Sequence, residues 1–296
     1  MTEKDKAMEP LVLERTFDAP VARVWQAMTT KEEMSRWFFD LKEFKAQAGF
    51  EFQFAVEHEG NTYDHRCKVT EVVPQKKLAF TWRYHGHEGD SLVTFELLAE
   101  GTKTRLKLTH AGVETFPKTP QFVRKNFERG WNYISTALLD YVENADREIY
   151  ITRDFDAPRE LLWEAMTNPK RVVNWWGPVG FTTTIEEMDF RVGGVWKHVM
   201  RGPDGAEYPN KSVFKEIVKP EKIVYSHGGH KKGGPAISFV STWTFDELGK
   251  NKSRVSIRMV FADTDKRDFV VKEFGAIEGG KQTLGRLAEY AAAMKA

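Results

Sequence analysis

Hydrophobic and polar residues alternate along several stretches of the first half of the chain. In the clearest of them, Phe50, Phe52, Phe54 and Val56 occupy every second position and are separated mainly by polar residues. A period of two is typical of a strand with one buried and one solvent-facing side. The alternation recurs at residues 63–70, 78–84, 93–97 and 106–110. The pattern therefore predicts a set of antiparallel strands.

A helical period marks the two ends of the same half. Large apolar residues follow one another at steps of four and three at Phe127, Trp131, Ile134, Leu138 and Tyr141. This stripe predicts a long amphipathic helix over residues 120–144. Ahead of the strands, the sequence predicts a short strand over residues 11–17 and two short helices over 21–29 and 31–36. We expect Asp18 to cap the first of these helices.

The second half of the chain repeats the first. Arg-Thr-Phe-Asp-Ala-Pro at residues 15–20 recurs as Arg-Asp-Phe-Asp-Ala-Pro at 153–158, and nine of the fifteen positions from Arg15 to Thr29 are identical at this shift of 138 residues. The shift grows to 149 where Gly130 matches Gly279, which places an insertion near residues 177–182. The chain is therefore read as a polar tail (1–8) and two copies of one domain (9–145 and 146–296).

Glycines distinguish the closing helix of the second copy. Its apolar stripe is Phe274, Ile277, Leu284, Leu287 and Ala291, and glycines stand at positions 275, 279, 280 and 285. Each glycine inside a helix costs about 1 kcal/mol, so we expect this helix to be kinked or loose.

The predicted elements give each copy an α+β fold, a curved antiparallel sheet around a long C-terminal helix. A sheet that curls round a helix without collapsing on it leaves a hollow. An apolar hollow with a few polar groups is typical of a small-molecule site.

Composition narrows the classes of function. The 296 residues have a net charge of +1, which gives no long-range attraction to nucleic acid. No segment is apolar enough for membrane insertion. The lone cysteine, Cys67, excludes an internal disulfide and a cysteine zinc site and favours a cytoplasmic location. Aromatic residues make up 13% of the chain, so many rings are expected to fill or line the two hollows.

Several of these motifs carry a resemblance to a known family. The Phe-Asp-Ala-Pro opening with its Val-Trp and Ala-Met-Thr, the tryptophan at 37, and Val-Gly-Gly-Val-Trp at 192–196 resemble the START-like superfamily, also called SRPBCC or Bet v 1-like. Trp-Trp-Gly-Pro at 175–178 and Phe-Arg-Val-Gly-Gly at 190–194 are most similar to the bacterial family named after the activator of the 90-kDa heat-shock chaperone ATPase.

The resemblance implies a tandem helix-grip fold over nearly the whole chain. The superfamily includes lipid carriers, polyketide cyclases, hormone receptors and chaperone activators, so the fold alone does not give the function. In the eukaryotic activators only the C-terminal half resembles this fold. The resemblance therefore implies the fold without the chaperone role.

Strand phase and the helix stripes predict which side chains line each hollow. In the first copy they are Phe52, Phe54, Tyr63, His65, Trp82, Tyr84, Phe95, His110, Phe127 and Trp131. In the second copy they are Trp196, His198, Met200, Tyr208, Asn210, Tyr225, His227, Trp243, Met259 and Ile277. The second copy is the stronger candidate for a cavity, because His198, Asn210 and His227 would need partners inside a filled core.

Other candidate sites each have a structural alternative. His-Gly-His at 85–87 and His-Gly-Gly-His at 227–230 suggest a metal, but no further ligand stands at a fixed spacing and we predict none. Arg15 and its repeat Arg153 either hold a ligand carboxylate or make structural ion pairs. The insertion around residues 176–181 is either a mobile lip or a stiff loop.

Three hypotheses for function remain. The leading one is that one or both copies bind a small hydrophobic ligand, aromatic, polyketide-like or lipid-like, without covalent catalysis and without a cofactor. The second is a cyclase, dehydratase or hydrolase that uses His198 and His227 as acid or base. The third is a protein that regulates a chaperone ATPase. No nucleophile or phosphate-binding motif is present.

Overall fold

The computed structural model describes residues 9–58 and 61–295, so the predicted tail at 1–8 lies outside the described residues. The chain divides into two compact units, with the boundary between Ala145 and Asp146. Each unit is one antiparallel sheet with helices, which confirms the predicted α+β class.

The described residues of the first unit form six strands and three α-helices: β1 (Leu11–Phe17), α1 (Val21–Thr29), α2 (Lys31–Met34), β2 (Glu51–His58), β3 (Asn61–Val73), β4 (Lys77–Tyr84), β5 (Ser91–Glu100), β6 (Lys103–Ala111) and α3 (Arg124–Asn144). The sheet order is β1-β6-β5-β4-β3-β2. Helix α3 packs on the sheet with Phe127, Trp131 and Leu138 buried.

The second unit follows a short 3-10 turn, Ala145–Arg147. Its elements are β7 (Glu148–Phe155), α4 (Arg159–Thr167), α5 (Pro169–Val172), β8 (Thr182–Met188), β9 (Val195–Arg201), β10 (Glu207–Val218), β11 (Lys222–Gly229), β12 (Ile237–Gly249), β13 (Lys252–Phe261), α6 (Thr264–Phe274) and α7 (Ala276–Lys295). The sheet order β7-β13-β12-β11-β10-β9-β8 repeats that of the first unit and adds β8 at the edge.

The helix starts differ from the sequence prediction. Pro20 stands at the N-cap of α1 and no side chain caps this helix, so the prediction of Asp18 as the cap is wrong. The ring of Pro20 restricts its φ angle, so the chain can pass from the extended Pro20 into the helix without a capping side chain. Helix α2 ends at Met34 rather than at residue 36.

Arg15 in the first unit and the repeated tryptophans in both units make hydrogen bonds that fix the packing of helices. Arg15 donates from its Nη2 to the Oδ1 of Asn132 on α3 at 2.8 Å, so it bonds an amide rather than a carboxylate. Trp37 and Trp175 are buried, and their Nε1 atoms donate to the carbonyls of Ala27 and Ala165 at 2.9 and 3.1 Å. These tryptophans therefore fasten the short helices to the core.

The closing helix of the second unit is interrupted, as its glycines indicated. Helix α6 ends at Phe274, Gly275 has φ +56°, and α7 restarts at Ala276. This left-handed conformation suits glycine, which has no Cβ. The break changes the rotational phase between Phe274 and the residues of α7.

Candidate functional site

In the first unit, aromatic rings occupy the space between sheet and helix. Phe54 stacks on His65 with ring centroids 4.3 Å apart, and Trp82 lies 5.1 Å from Trp131 of α3. The ten predicted lining residues of this copy do meet here, and their rings contact one another rather than a hollow. Tyr63 and Tyr84 lie at its edge, half-buried against Phe122.

Hydrogen bonds close this aromatic core. Trp131 Nε1 donates to His110 Nδ1 at 2.9 Å, and His110 Nε2 bonds Ser91 Oγ at 2.8 Å. Ser91 in turn donates to the carbonyl of Trp82 at 2.8 Å. Because the indole can only donate, the proton of His110 is on Nε2 and every member of the chain is satisfied. Burial lowers the pKa of His110 to about 3, so this histidine is neutral. Its role is structural.

The second unit contains a cavity of about 350 Å³ between its sheet and its closing helices. This volume is near the lower end of the range for small-molecule sites. Most of the wall is apolar. It is lined by strand residues (His198, Met200, Tyr208, Asn210, Tyr225, His227, Gly229, Ile237, Phe239, Ser241, Trp243, Ile257 and Met259), by helix residues (Val270, Glu273, Phe274, Ala276, Gly279, Gly280 and Thr283), by His230 directly after β11, and by Trp176, Gly177, Pro178 and Phe181.

On the helix side, the cavity is lined by small residues at positions where the first unit has rings. At the repeat shift of 149 residues, Phe127 and Trp131 of the first unit match Ala276 and Gly280 of the second. Both Ala276 and Gly280 line the cavity. A Cβ at Gly280 would lie 2.2 Å from Cδ1 of Ile151, so the bare glycine lets α7 approach β7 closely. Two large rings have thus been replaced by almost no side chain.

Eight of the ten residues predicted for the second copy line the cavity: His198, Met200, Tyr208, Asn210, Tyr225, His227, Trp243 and Met259. Trp196 is fully buried beside it, stacked on His198 at 4.4 Å. Ile277 is wrongly placed by the sequence stripe. Its side chain is 38% exposed, because the break at Gly275 turns it away from the sheet.

Sequence reasoning missed part of the wall. Phe239 and Ser241 share the strand phase of Trp243, so extending that alternation would have found them. Phe274 belongs to the predicted stripe and does reach the cavity. Trp176 and Phe181 come from the insertion. Their contacts join residues that are far apart in the sequence, and such contacts leave no periodic pattern.

His198 and Ser241 are deeply buried polar residues of the wall, each with 1% of its surface exposed. Trp176 Nε1 donates to Nε2 of His198 at 3.1 Å, so the ring proton is on Nδ1. Among the described residues, Nδ1 has no hydrogen-bond partner. Burial, with a smaller contribution from His227, lowers the pKa of His198 to about 3.

His227 faces the cavity from β11. Its ring stacks on Phe239 with centroids 4.4 Å apart, and its Nδ1 lies 3.2 Å from Ser212 Oγ. Burial lowers the pKa of His227 to about 4. Nearby, Trp243 Nε1 donates to the hydroxyl of Tyr225 at 3.1 Å, and burial raises the pKa of Tyr225 to about 12. The wall is therefore uncharged at neutral pH around these groups.

The insertion forms a stiff lip over the cavity, defined here as residues 176–181. Arg286 of α7 donates through Nη1 to the carbonyls of Gly177, Pro178 and Phe181 at 3.0 to 3.1 Å. Gln282 accepts from the amide of Val179 at 3.2 Å. Of the two alternatives for this loop, the structure favours the stiff one, because side chains of the closing helix bond it along its length.

A second concave surface lies on the first unit and is polar. An open groove of about 720 Å³ follows the outward phase of β2, β3 and β4 and reaches the loop at His85 and His87. Its charges are largely paired, as in the Lys68–Glu51 and Arg83–Asp90 ion pairs. It has the character of a solvated sheet face.

The described residues form neither a metal-binding cluster nor a membrane-spanning helix. Within residues 9–58 and 61–295, no three His, Cys, Asp or Glu side chains are grouped so as to hold a metal ion. No helix in the described part of the chain has the length and apolarity needed to cross a bilayer. Cys67 is buried, and burial raises the pKa of its thiol.

Comparison with known proteins gives a family and several structural neighbours. No curated protein matches the chain significantly. A protein from Chromobacterium violaceum is 25% identical over 49% of this chain and 96% of its own, with a TM-score of 0.43. One from Arthrobacter aurescens is 24% identical over 50% of this chain and 88% of its own, with a TM-score of 0.47. DynU16, encoded in a dynemicin biosynthetic locus, is 16% identical over 95% of this chain and 98% of its own, with a TM-score of 0.39.

The family model settles the resemblance drawn from the opening motifs. It matches residues 18–143 and again residues 156–292, once in each unit. The chain therefore belongs to the family described as activator of Hsp90 ATPase homolog 1-like protein, and it carries two copies of that family's domain.

Proposed function

We propose that the second unit binds a small hydrophobic ligand in its sheet–helix cavity without covalent catalysis. The observation that carries this proposal is an apolar cavity of about 350 Å³ whose helix side has Ala276 where the first unit has Phe127. Apolar walls of this kind gain free energy when a ligand displaces water from them. In this proposal the first unit, whose rings occupy the corresponding space, binds no ligand between its sheet and helix.

The low pKa values of the two cavity histidines fit ligand binding better than acid–base catalysis. An efficient general base has a pKa near the working pH. The pKa values of His198 and His227 are about 3 and 4, so both are weak bases and neutral hydrogen-bonding groups at pH 7. The enzyme hypothesis would require a bound substrate to raise the pKa values of His198 and His227 to near the working pH.

The test is to fill the cavity from the helix. An Ala276→Phe substitution places a ring where the first unit has Phe127. The neighbouring Ile277→Phe substitution is the matched control, because residue 277 is exposed and outside the cavity. Binding of 2-naphthol, measured by quenching of tryptophan fluorescence, should weaken at least tenfold in A276F and stay unchanged in I277F. Equal affinity in A276F, or no binding to the unmodified protein, would overturn the proposal.

A further inference from the structure

Two polar side chains meet at one end of the cavity. Asn210 on β10 stands opposite Gly229 on β11, and Ser212 stands opposite His227 in the same pair of strands. Alternate residues of a strand share a face, so Asn210, Ser212, His227 and Gly229 are neighbours on the face toward the cavity.

Gly229 provides the space between them. A Cβ on this residue would lie 2.5 Å from Oδ1 of Asn210 and 3.0 Å from Nε2 of His227. Asn210 Oδ1 and His227 Nε2 therefore both lie close to the point where a side chain of residue 229 would begin, and the glycine leaves that point free. In the first unit the corresponding strand position is Tyr84, opposite His65, and its ring fills this space.

The hydrogen bonds around this point fix which atom donates. Ser212 is fully buried, and within the described residues its hydroxyl has a single side-chain hydrogen bond, to His227 Nδ1. A buried hydroxyl left without an acceptor is costly, so Ser212 donates to Nδ1 and the proton of the neutral ring is on Nε2. No described residue accepts that Nε2 proton in the structure.

Asn210 supplies the complementary acceptor. Its Nδ2 donates to the carbonyl of Tyr208 at 2.6 Å, which turns Oδ1 toward Gly229. A donor and an acceptor thus stand side by side at the end of an apolar cavity. Among the described residues that line the cavity there is no lysine or arginine, and the side chain of Glu273, the carboxylate of the lining, is exposed to solvent.

This pattern matches one functional group better than others. A hydroxyl both accepts and donates a hydrogen bond, whereas an ether or ketone only accepts, and a carboxylate adds a negative charge that no lysine or arginine of the lining balances. Building on the proposed function, we propose that Asn210 and His227 recognise the uncharged hydroxyl of an aromatic ligand. The Nε2–H of His227 donates to the hydroxyl oxygen, and Asn210 Oδ1 accepts the hydroxyl proton.

Four probes of one shape test this on the unmodified protein: 2-naphthol, 2-methoxynaphthalene, 2-methylnaphthalene and 2-naphthoate. At pH 7, 2-naphthol should bind at least tenfold more tightly than each of the other three. If the methoxy or methyl compound binds as tightly as 2-naphthol, the hydroxyl inference is wrong and the ligand-binding proposal stands. If none of the four binds, the proposed function itself fails.

Two substitutions assign the preference to residues. His227→Phe and Asn210→Leu keep an apolar wall and should each reduce the preference for 2-naphthol over 2-methylnaphthalene at least fivefold, while 2-methylnaphthalene still binds. His85→Phe, on an exposed loop of the first unit, is the control and should leave the ratio unchanged. An unchanged ratio in both cavity variants would overturn the assignment. If a variant does not fold, the ranking of the probes on the unmodified protein decides.

Discussion

Acidification from pH 7 to pH 5 should destabilise both units through their buried histidines. Burial lowers the pKa of His198 and His110 to about 3, and of His227 and His65 to about 4, from an ordinary value of 6.5. The folded chain therefore holds these rings neutral while the unfolded chain takes up protons below pH 6.5. Their contribution is complete above that pH, decreases as the pH falls, and stops changing near the folded pKa values.

The magnitude follows from the difference in pKa. Each histidine lowers the free energy of unfolding by about 1.4 kcal/mol for every pH unit below 6.5, or by about 2 kcal/mol at pH 5. Each unit has two such histidines, so its free energy of unfolding should fall by about 4 kcal/mol. Asp154, whose pKa is lowered chiefly by its hydrogen bonds with Arg254, loses its contribution only below its ordinary value of 3.8, outside this range.

Urea denaturation, followed by circular dichroism at pH 7, 6 and 5, measures how the free energy of unfolding changes with pH. A His198→Phe variant carries the residue that the first unit has at the matching strand position, Phe54, and its free energy of unfolding should lose about 1.4 kcal/mol per pH unit of this dependence. The exposed His85→Gln variant is the control. A flat profile between pH 7 and 5, or a slope unaltered in His198→Phe, would refute the reasoning.

Two further predictions concern packing and the lip. Trp131→Ala should lower the free energy of unfolding by about 5 kcal/mol, since it opens a cavity and removes the donor to a buried histidine. Tyr133→Ala on the same helix, where the side chain is 77% exposed, should change it by less than about 0.5 kcal/mol in the same urea titration. Arg286→Met should raise the rate of amide hydrogen exchange in residues 176–181 at least tenfold, because the carbonyls of the lip lose their shared donor. Exposed Lys281→Met is the control, and equal exchange in the two variants would show that Arg286 does not hold the lip.

Periodic features of the sequence predicted most of the fold. Strand phase placed Phe52, Phe54 and His198 on the inner faces, since a period of two fixes the face of every residue once one is known. The repeat predicted two domains of the same class, because the same spacing of strands and helices can only build the same sheet twice. These are local signals, and they agree with the packing.

The cavity needed information that no single pattern carries. Both closing helices show an apolar stripe, and the stripe alone did not reveal that Ala276 replaces a phenylalanine at the point facing the sheet. Ile277 was misplaced because a stripe assumes a continuous helix, whereas Gly275 breaks it. The bonds from Arg286 to the lip join residues more than a hundred positions apart, so no local pattern could predict them.

The close approach of α7 to β7 at Gly280 limits the shape of any guest. Beyond Thr283 the interior is closed by Leu284 and Leu287, both fully buried. On this side the cavity therefore ends against packed side chains. A molecule too long for the cavity cannot extend past these leucines, so its excess length must stay outside. For a long ligand, recognition in this protein would then depend on which end of the molecule enters the cavity first.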